Sequence, residues 1–246
     1  MKGQNSQVVI VFTVVLIVAA FSDFASAPAT DESESSPSAT AASQSMGCVE
    51  GLVTYSGPIP KPIPVPEAQT VRQLVVVDPK SKGLKDAVVW LERASPPAVD
   101  TNRARKPAIM DQVEFFFVPH VLAIRAGQPV EFRNSDAANH GVTAKSLRQE
   151  NCFNIVTPPS GSYTHTFSAD SRPVAIGCPI HSGMGAWIWV FEHPYYATTD
   201  AKGRFRIADV PPGKHTLVVR HVEANFTHKH KLEVEPKKTT RVIVSH

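Results

Sequence analysis

Beyond Gly47 the chain alternates apolar and polar residues or gathers them in short apolar runs. The runs at 49–55, 74–77, 87–91, 114–118, 130–132, 187–191, 204–207, 216–220 and 242–244 have the length and period of strands. Turn-forming sequences separate them: Ser56-Gly57-Pro58, Lys82-Gly83, Ala126-Gly127, Ser160-Gly161, Asp200-Ala201-Lys202-Gly203 and Pro211-Pro212-Gly213. No sustained helical period occurs. Short strands with regular turns predict an all-β chain built of antiparallel β-sandwiches. Alternate prolines at 62, 64 and 66 predict an extended, polyproline-like connection over 61–66. The run after Met184 says more. Ala186, Ile188 and Val190 fall on one face, and Trp187, Trp189 and Phe191 on the other. Both faces are apolar, so both need cover, which a second layer beyond the first sandwich supplies. An exposed patch for a partner is the alternative. Phe115, Phe116 and Phe117 carry the same message.

The chain before Gly47 follows a different pattern. Lys2 precedes an apolar run over 8–21, interrupted by Thr13 and shorter than the ~20 residues of a bilayer span. Small residues follow at 25–29. Pro28 hinders a cut after Ala27, so cleavage is expected after Ala29. Residues 1–29 therefore read as an export signal peptide, and the protein as periplasmic or otherwise exported. An uncleaved anchor is the alternative, and the only route to a membrane. Cys48 lies too far past the apolar run for a lipoprotein. Residues 30–46 lack apolar periodicity and read as a disordered linker.

Composition narrows the picture. At 246 residues and 42% hydrophobic, the chain has enough length for one or two cored domains. The 21 Pro and 13 Gly disfavour long helices. A formal net charge of +3 gives no reason to expect a nucleic-acid partner. There are three cysteines, an odd number, so in an exported chain one has work other than a disulfide.

The densest chemistry is Cys178-Pro179-Ile180-His181-Ser182-Gly183-Met184. A thiolate, an imidazole and a thioether sit in one Gly/Pro loop between two apolar strands. This soft-to-borderline set favours copper over hard cations, and it lacks the four Cys/His ligands of structural zinc. A second imidazole must come from elsewhere. His140, in a polar turn just past the strand at 130–132, is the upstream candidate. Zinc, or a site that binds nothing, is the rival reading.

With these residues in place, the stretch 107–192 resembles the cupredoxins, the blue copper proteins. DQVEFFFVPHVLAIRAGQPVEFRNSDAANHGV, from Asp111 to Val142, is similar to their first strands, and Cys-x-x-His-x-x-Met is similar to the short ligand loop of amicyanin. The resemblance implies a Greek-key sandwich holding one type 1 copper, with His140, Cys178 and His181 as equatorial ligands and Met184 as a weak axial ligand. It implies electron transfer with transient redox protein partners rather than catalysis. Three strong ligands and one weak one suit both Cu(I) and Cu(II), so little rearrangement accompanies a redox change. This chain departs from the family in one respect. An Asn commonly follows the first ligand histidine and ties that loop to the residue after the cysteine; here the two positions are Gly141 and Pro179. The Gly141 N–H remains a potential donor to the Cys178 sulfur. Ile180, where amicyanin has proline, offers a second N–H and implies a raised potential.

The tail from Tyr195 to Val219, YYATTDAKGRFRIADVPPGKHTLVV, resembles half of a carboxypeptidase regulatory-like, or transthyretin-like, β-sandwich. Residues 49–57 and 84–91 resemble the other half. The implied order is 47–106 as the first half, 107–192 as an inserted cupredoxin, and 193–246 as the second half. Two domains in series are the alternative. The order also resembles exported bacterial proteins labelled plastocyanin-like or methylamine-utilisation proteins. Cys48 and Cys152 remain once Cys178 takes a metal, and in an oxidising compartment a disulfide between them is one expectation. Three functions follow: an exported single-electron carrier, a copper-binding or storage protein without redox turnover, and a carbohydrate- or envelope-binding module with a structural metal site.

Overall fold

A computed structural model describes residues 45–95 and 106–246. The predicted signal peptide and nearly all of the predicted linker lie outside the described residues. The first strands are β1 (Gly47–Thr54), β2 (Ile63–Val65), β3 (Thr70–Arg72) and β4 (Val88–Leu91). The middle of the chain forms β5 (Ala108–Val113), β6 (Phe116–Val118), β7 (Val121–Arg125), β8 (Pro129–Asn134), β9 (His140–Lys145), β10 (Phe153–Thr157), β11 (Ser162–Thr166), β12 (Val174–Gly177) and β13 (Gly185–Phe191). The tail forms β14 (Tyr196–Thr198), β15 (Arg204–Val210), β16 (Gly213–His221), β17 (Phe226–Val234) and β18 (Thr239–Ser245). Helical structure among the described residues is confined to two short 3-10 turns, Pro66–Ala68 and Gln149–Asn151. The protein is all-β.

Four sheets make two sandwiches. One pairs the sheet β15-β1-β18 with the sheet β14-β4-β16-β17; the other pairs β10-β9-β12-β13-β7 with β11-β8-β5-β6. Strands early and late in the chain complete one another. β1 lies between β15 and β18, and β4 lies between β14 and β16. Each sandwich closes on its own core. Val49, Val53, Val89, Leu91, Phe205, Ile207, Leu217 and Val219 share the first. Met110, Phe132, Val142, Val174, Ile176, Ala186, Ile188 and Val190 share the second.

The two sandwiches meet face to face through an aromatic layer. Trp189 and Val88 are buried there, with Trp90, Trp187 and Phe191 packed around them. Trp90 lies 5.2 Å from Trp189 and 5.6 Å from Phe191, and the Arg220 guanidinium sits 5.6 Å over the Trp189 ring. Period-two alternation produces this layering. On β13 the even positions enter the second core and the odd ones the seam; on β4, Val89 and Leu91 enter the first core while Val88 and Trp90 face the seam. The covering layer predicted from the doubly apolar run is thus the outer face of the other sandwich.

Several local expectations change. Residues 74–77 form no strand; Val77 contributes only an isolated bridge to Leu84. The proline-rich 61–66 is extended but not a free connection, because Ile63–Val65 pairs with Thr70–Arg72 as a small hairpin. The apolar pattern allows a strand from 114, but Glu114 and Phe115 occupy positive φ (51° and 63°) and turn the chain between β5 and β6. All three cysteines are free, so the Cys48–Cys152 disulfide is not formed. The two belong to different sandwiches: Cys48 is on β1 beside Thr239, and the Cys152 sulfur faces the carbonyls of Ser146 and Arg148.

Burial holds His193 and His221 neutral, pushing both imidazoles below their ordinary pKa. Each also accepts a backbone N–H at Nδ1, from Tyr195 (3.2 Å) and Ala224 (3.0 Å) respectively, a bond that protonation removes. The unfolded chain binds these protons more readily, so the stabilisation is complete above pH ~6.5 and is lost as pH falls below it. The metal-free protein is therefore expected to melt at a lower temperature at pH 5 than at pH 7. His221→Gln should flatten that slope in scanning calorimetry; an unchanged slope refutes the assignment.

Candidate metal centre

His140, Cys178 and His181 converge although two stretches of chain supply them. Their ligating atoms all lie within 4.8 Å of one another. His140 opens β9 and is fully buried. Cys178 follows β12, which pairs with both β9 and β13, so the sheet register itself brings the cysteine beside the histidine. Nδ1 of His140 is 3.0 Å from Nδ1 of His181, and the Cys178 sulfur is 3.7 Å from the latter. Metal–nitrogen and metal–sulfur bonds of about 2.0 and 2.3 Å place ligand atoms about 3–4 Å apart, so the three fit around one ion. The set of one thiolate and two imidazoles suits a borderline or soft metal.

The first imidazole is oriented by Asp136, a residue that no motif in the sequence marks. His140 donates its Nε2–H to Asp136 Oδ2 at 2.8 Å, leaving Nδ1 with a free lone pair aimed at the site. The same carboxylate accepts the N–H groups of Glu114 (2.6 Å) and Phe115 (2.9 Å). Burial opposes the charge of Asp136; the Phe115 N–H, the His140 imidazole and the Glu114 N–H overcome it and hold the carboxyl below its usual range. One carboxylate thus fixes both the histidine and the tight turn that presents Phe115. The Phe115 ring packs edge-on against both imidazoles, with centroids 5.2 Å from His140 and 5.0 Å from His181. The signal available in sequence was an acid four residues before the histidine, which is common on any polar turn.

The cysteine side is held differently from the usual asparagine tie. The Gly141 N–H donates to the Cys178 sulfur at 3.4 Å, as expected. A Cβ on Gly141 would lie 2.7 Å from Pro179 Cδ, so close packing of glycine on proline takes the place of the missing side-chain bond. Among the described residues, the Ile180 N–H makes no bond to the sulfur. The sulfur's partners are instead the Gly141 N–H and the His181 imidazole. Pro179 and Ile180 are exposed, and His181 is half-buried between them and the core.

Met184 lies at the end of the same loop, buried in the core cluster that contains Cys178. Its N–H donates to the His181 carbonyl (3.2 Å), and its own carbonyl accepts the Cys178 N–H (3.3 Å). Of the other histidines, His165 packs among Phe153, Tyr163 and Phe167, and His193 stacks between Phe191 and Tyr195.

No family model and no curated protein matches the chain. Among solved structures it is similar to a copper-containing nitrite reductase from Thermus scotoductus, at 26% identity over 40% of this chain and 25% of that one, with a TM-score of 0.33. It is also similar to a variant of amicyanin in its Cu(I) form, at 15% identity over 42% of this chain and 98% of that one, with a TM-score of 0.32. A purple cupredoxin from Nitrosopumilus maritimus matches at 18% identity over 34% of this chain and 99% of that one, with a TM-score of 0.30. The chain spans a quarter of the nitrite reductase's length. Each of these matches covers less than half of this chain, and the reading of the site rests on its own geometry.

Proposed function

We propose that the protein is an exported type 1 copper protein that carries single electrons between transient redox partners. The observation that carries this reading is the convergence of His140, Cys178 and His181 at metal-binding spacing, with His140 locked in the ligating tautomer by Asp136. Bound there, copper supplies a one-electron Cu(I)/Cu(II) couple. Met184, buried at the end of the same loop, would supply a fourth, weaker thioether donor. The protein's part is to hold the donor atoms still: the Gly141 N–H withdraws charge from the thiolate, and Gly141 against Pro179 stiffens the loop. Phe115 packs edge-on against both imidazoles and covers that side of the histidine pair. His181, half-buried beside exposed Ile180, would give an electron its route between a bound copper and the surface.

The segment 107–192 is read as a cupredoxin inserted into a transthyretin-like sandwich made of 47–106 and 193–246; the pairing of β1 and β4 with tail strands supports this. Export rests on the N-terminal sequence. Among the described residues, no helix is long and apolar enough to cross a membrane.

Periplasmically expressed protein loaded with copper is expected to bind one ion per chain, to show an intense thiolate-to-copper visible band, and to lose and regain it on reduction and reoxidation. A colourless copper form points to storage instead. Glycan affinity that ignores copper points to a binding module.

A further inference from the structure

The loop that carries His181 and Met184 is gripped from outside its own sandwich. A Cβ on Gly183 would come within 2.9 Å of the Pro64 carbonyl and of Val65 Cγ2, so the β2–β3 hairpin lies directly on the loop. Two residues further on, the Gly185 carbonyl accepts bonds from Arg72 Nη1 (3.3 Å) and His120 Nδ1 (2.9 Å). Both donors are fixed in turn by Glu223, in the turn between β16 and β17: Arg72 Nη1 lies 3.3 Å and His120 Nε2 2.9 Å from its carboxylate. The three side chains are between 12% and 17% exposed. Burial opposes the Glu223 charge, but His120, Arg72 and Trp187 hold its carboxyl below the ordinary range.

We infer that Arg72, His120 and Glu223 are positioning residues that clamp the metal loop at Gly185 and so fix the placement of Met184. The inference rests on the copper reading of the site and deepens it. Glycines flank Met184 on both sides, so its placement depends on its own bonds to His181 and Cys178, on the pairing of Gly185 with Gly177, and on what holds Gly185 from outside. An axial thioether is weakly bonded, so the protein rather than the metal sets its distance, and that distance tunes both the potential and the copper–thiolate electronic structure. Arg72 reaches Gly185 from the hairpin, and Glu223 holds Arg72 and His120 from the tail, so the other sandwich takes part in setting the properties of the metal. A partly buried Arg72–Glu223 ion pair is a costly way to join two domains if joining were its only role. The aromatic seam already does that.

The test uses the full chain carrying Arg72→Met, with Arg72→Lys and Arg206→Met as companions. Arg206 is an exposed arginine on β15, remote from the loop. Three quantities are read: near-ultraviolet dichroism of the metal-free protein, Cu(I) affinity by chelator competition, and the intensity ratio of the visible thiolate bands in the Cu(II) form. In Arg72→Met, affinity is expected to fall about tenfold, the lower end for loss of an outer-sphere partner. The band ratio shifts with it. Arg72→Lys keeps a donor for Gly185 and recovers most of both changes, while Arg206→Met leaves both at the wild-type value. If Arg72→Met does not fold, Glu223→Gln, which keeps the volume and removes the charge, reads the same two quantities. A folded variant of either kind with wild-type affinity and band ratio overturns the clamp and leaves the copper reading standing. A wild-type protein with no thiolate band overturns that reading and the clamp together.

Discussion

Cys178→Ser is expected to abolish the visible band of the copper-loaded protein while leaving the metal-free fold intact. The band requires a sulfur donor, and no other cysteine lies in the cluster: Cys48 sits on β1 of the other sandwich and Cys152 faces the carbonyls of Ser146 and Arg148. A serine hydroxyl fits the volume of the thiol and can accept the Gly141 N–H, so the buried backbone donor keeps a partner. Absorption spectra before and after copper addition, with thermal unfolding of the metal-free protein, check both halves. A surviving band removes Cys178 from the site. A collapsed fold would show that the thiol matters to packing more than its position at the core's edge implies.

Trp189→Ala should produce the largest loss of stability. Trp189 is 4% exposed and touches the seam on every side: Trp90 tilted at 5.2 Å, Phe191 stacked at 6.2 Å, and Arg220 over its ring. Truncating a buried aromatic to alanine costs about 3–5 kcal/mol. The cavity opens between two sheets that other strands keep apart, so collapse is resisted and the upper half of that range is expected. Urea unfolding of the metal-free protein measures it. Trp189→Phe, which retains a ring for Trp90 to pack on, should recover more than half the loss. The side chain faces away from the second core, so copper-loaded Trp189→Ala should keep its visible band where it is folded. A loss below about 0.5 kcal/mol, the ordinary range of a surface change, would mean the seam does not hold the sandwiches together.

Particular residues show how far local pattern reaches. Alternation along β13 predicted two covered faces, because side-chain direction in a strand is fixed by position parity alone. The Cys178–Met184 loop was legible because one short loop carries three of the four candidate donors. His140 was legible as the nearest imidazole after an apolar strand. The Glu114–Phe115 turn was not, since the run of three phenylalanines reads as strand and only the Asp136 carboxylate, distant in sequence, favours the turn. Residues 74–77 are apolar enough for a strand, but Val77 finds a partner only in Leu84.

The sequence alone determined the class of structure, the strand parity and the chemical character of the ligand loop, all properties carried by neighbouring residues. Tertiary structure decided the rest. It set which acid orients His140, what packs against Gly141 in place of an asparagine tie, and where Cys48 and Cys152 lie. It also brought Arg72 and His120 to one glycine carbonyl and Glu223 to both of those side chains. Sheet order and register create such meetings between distant segments, and no local pattern encodes the distance between two side chains that only a completed fold brings together.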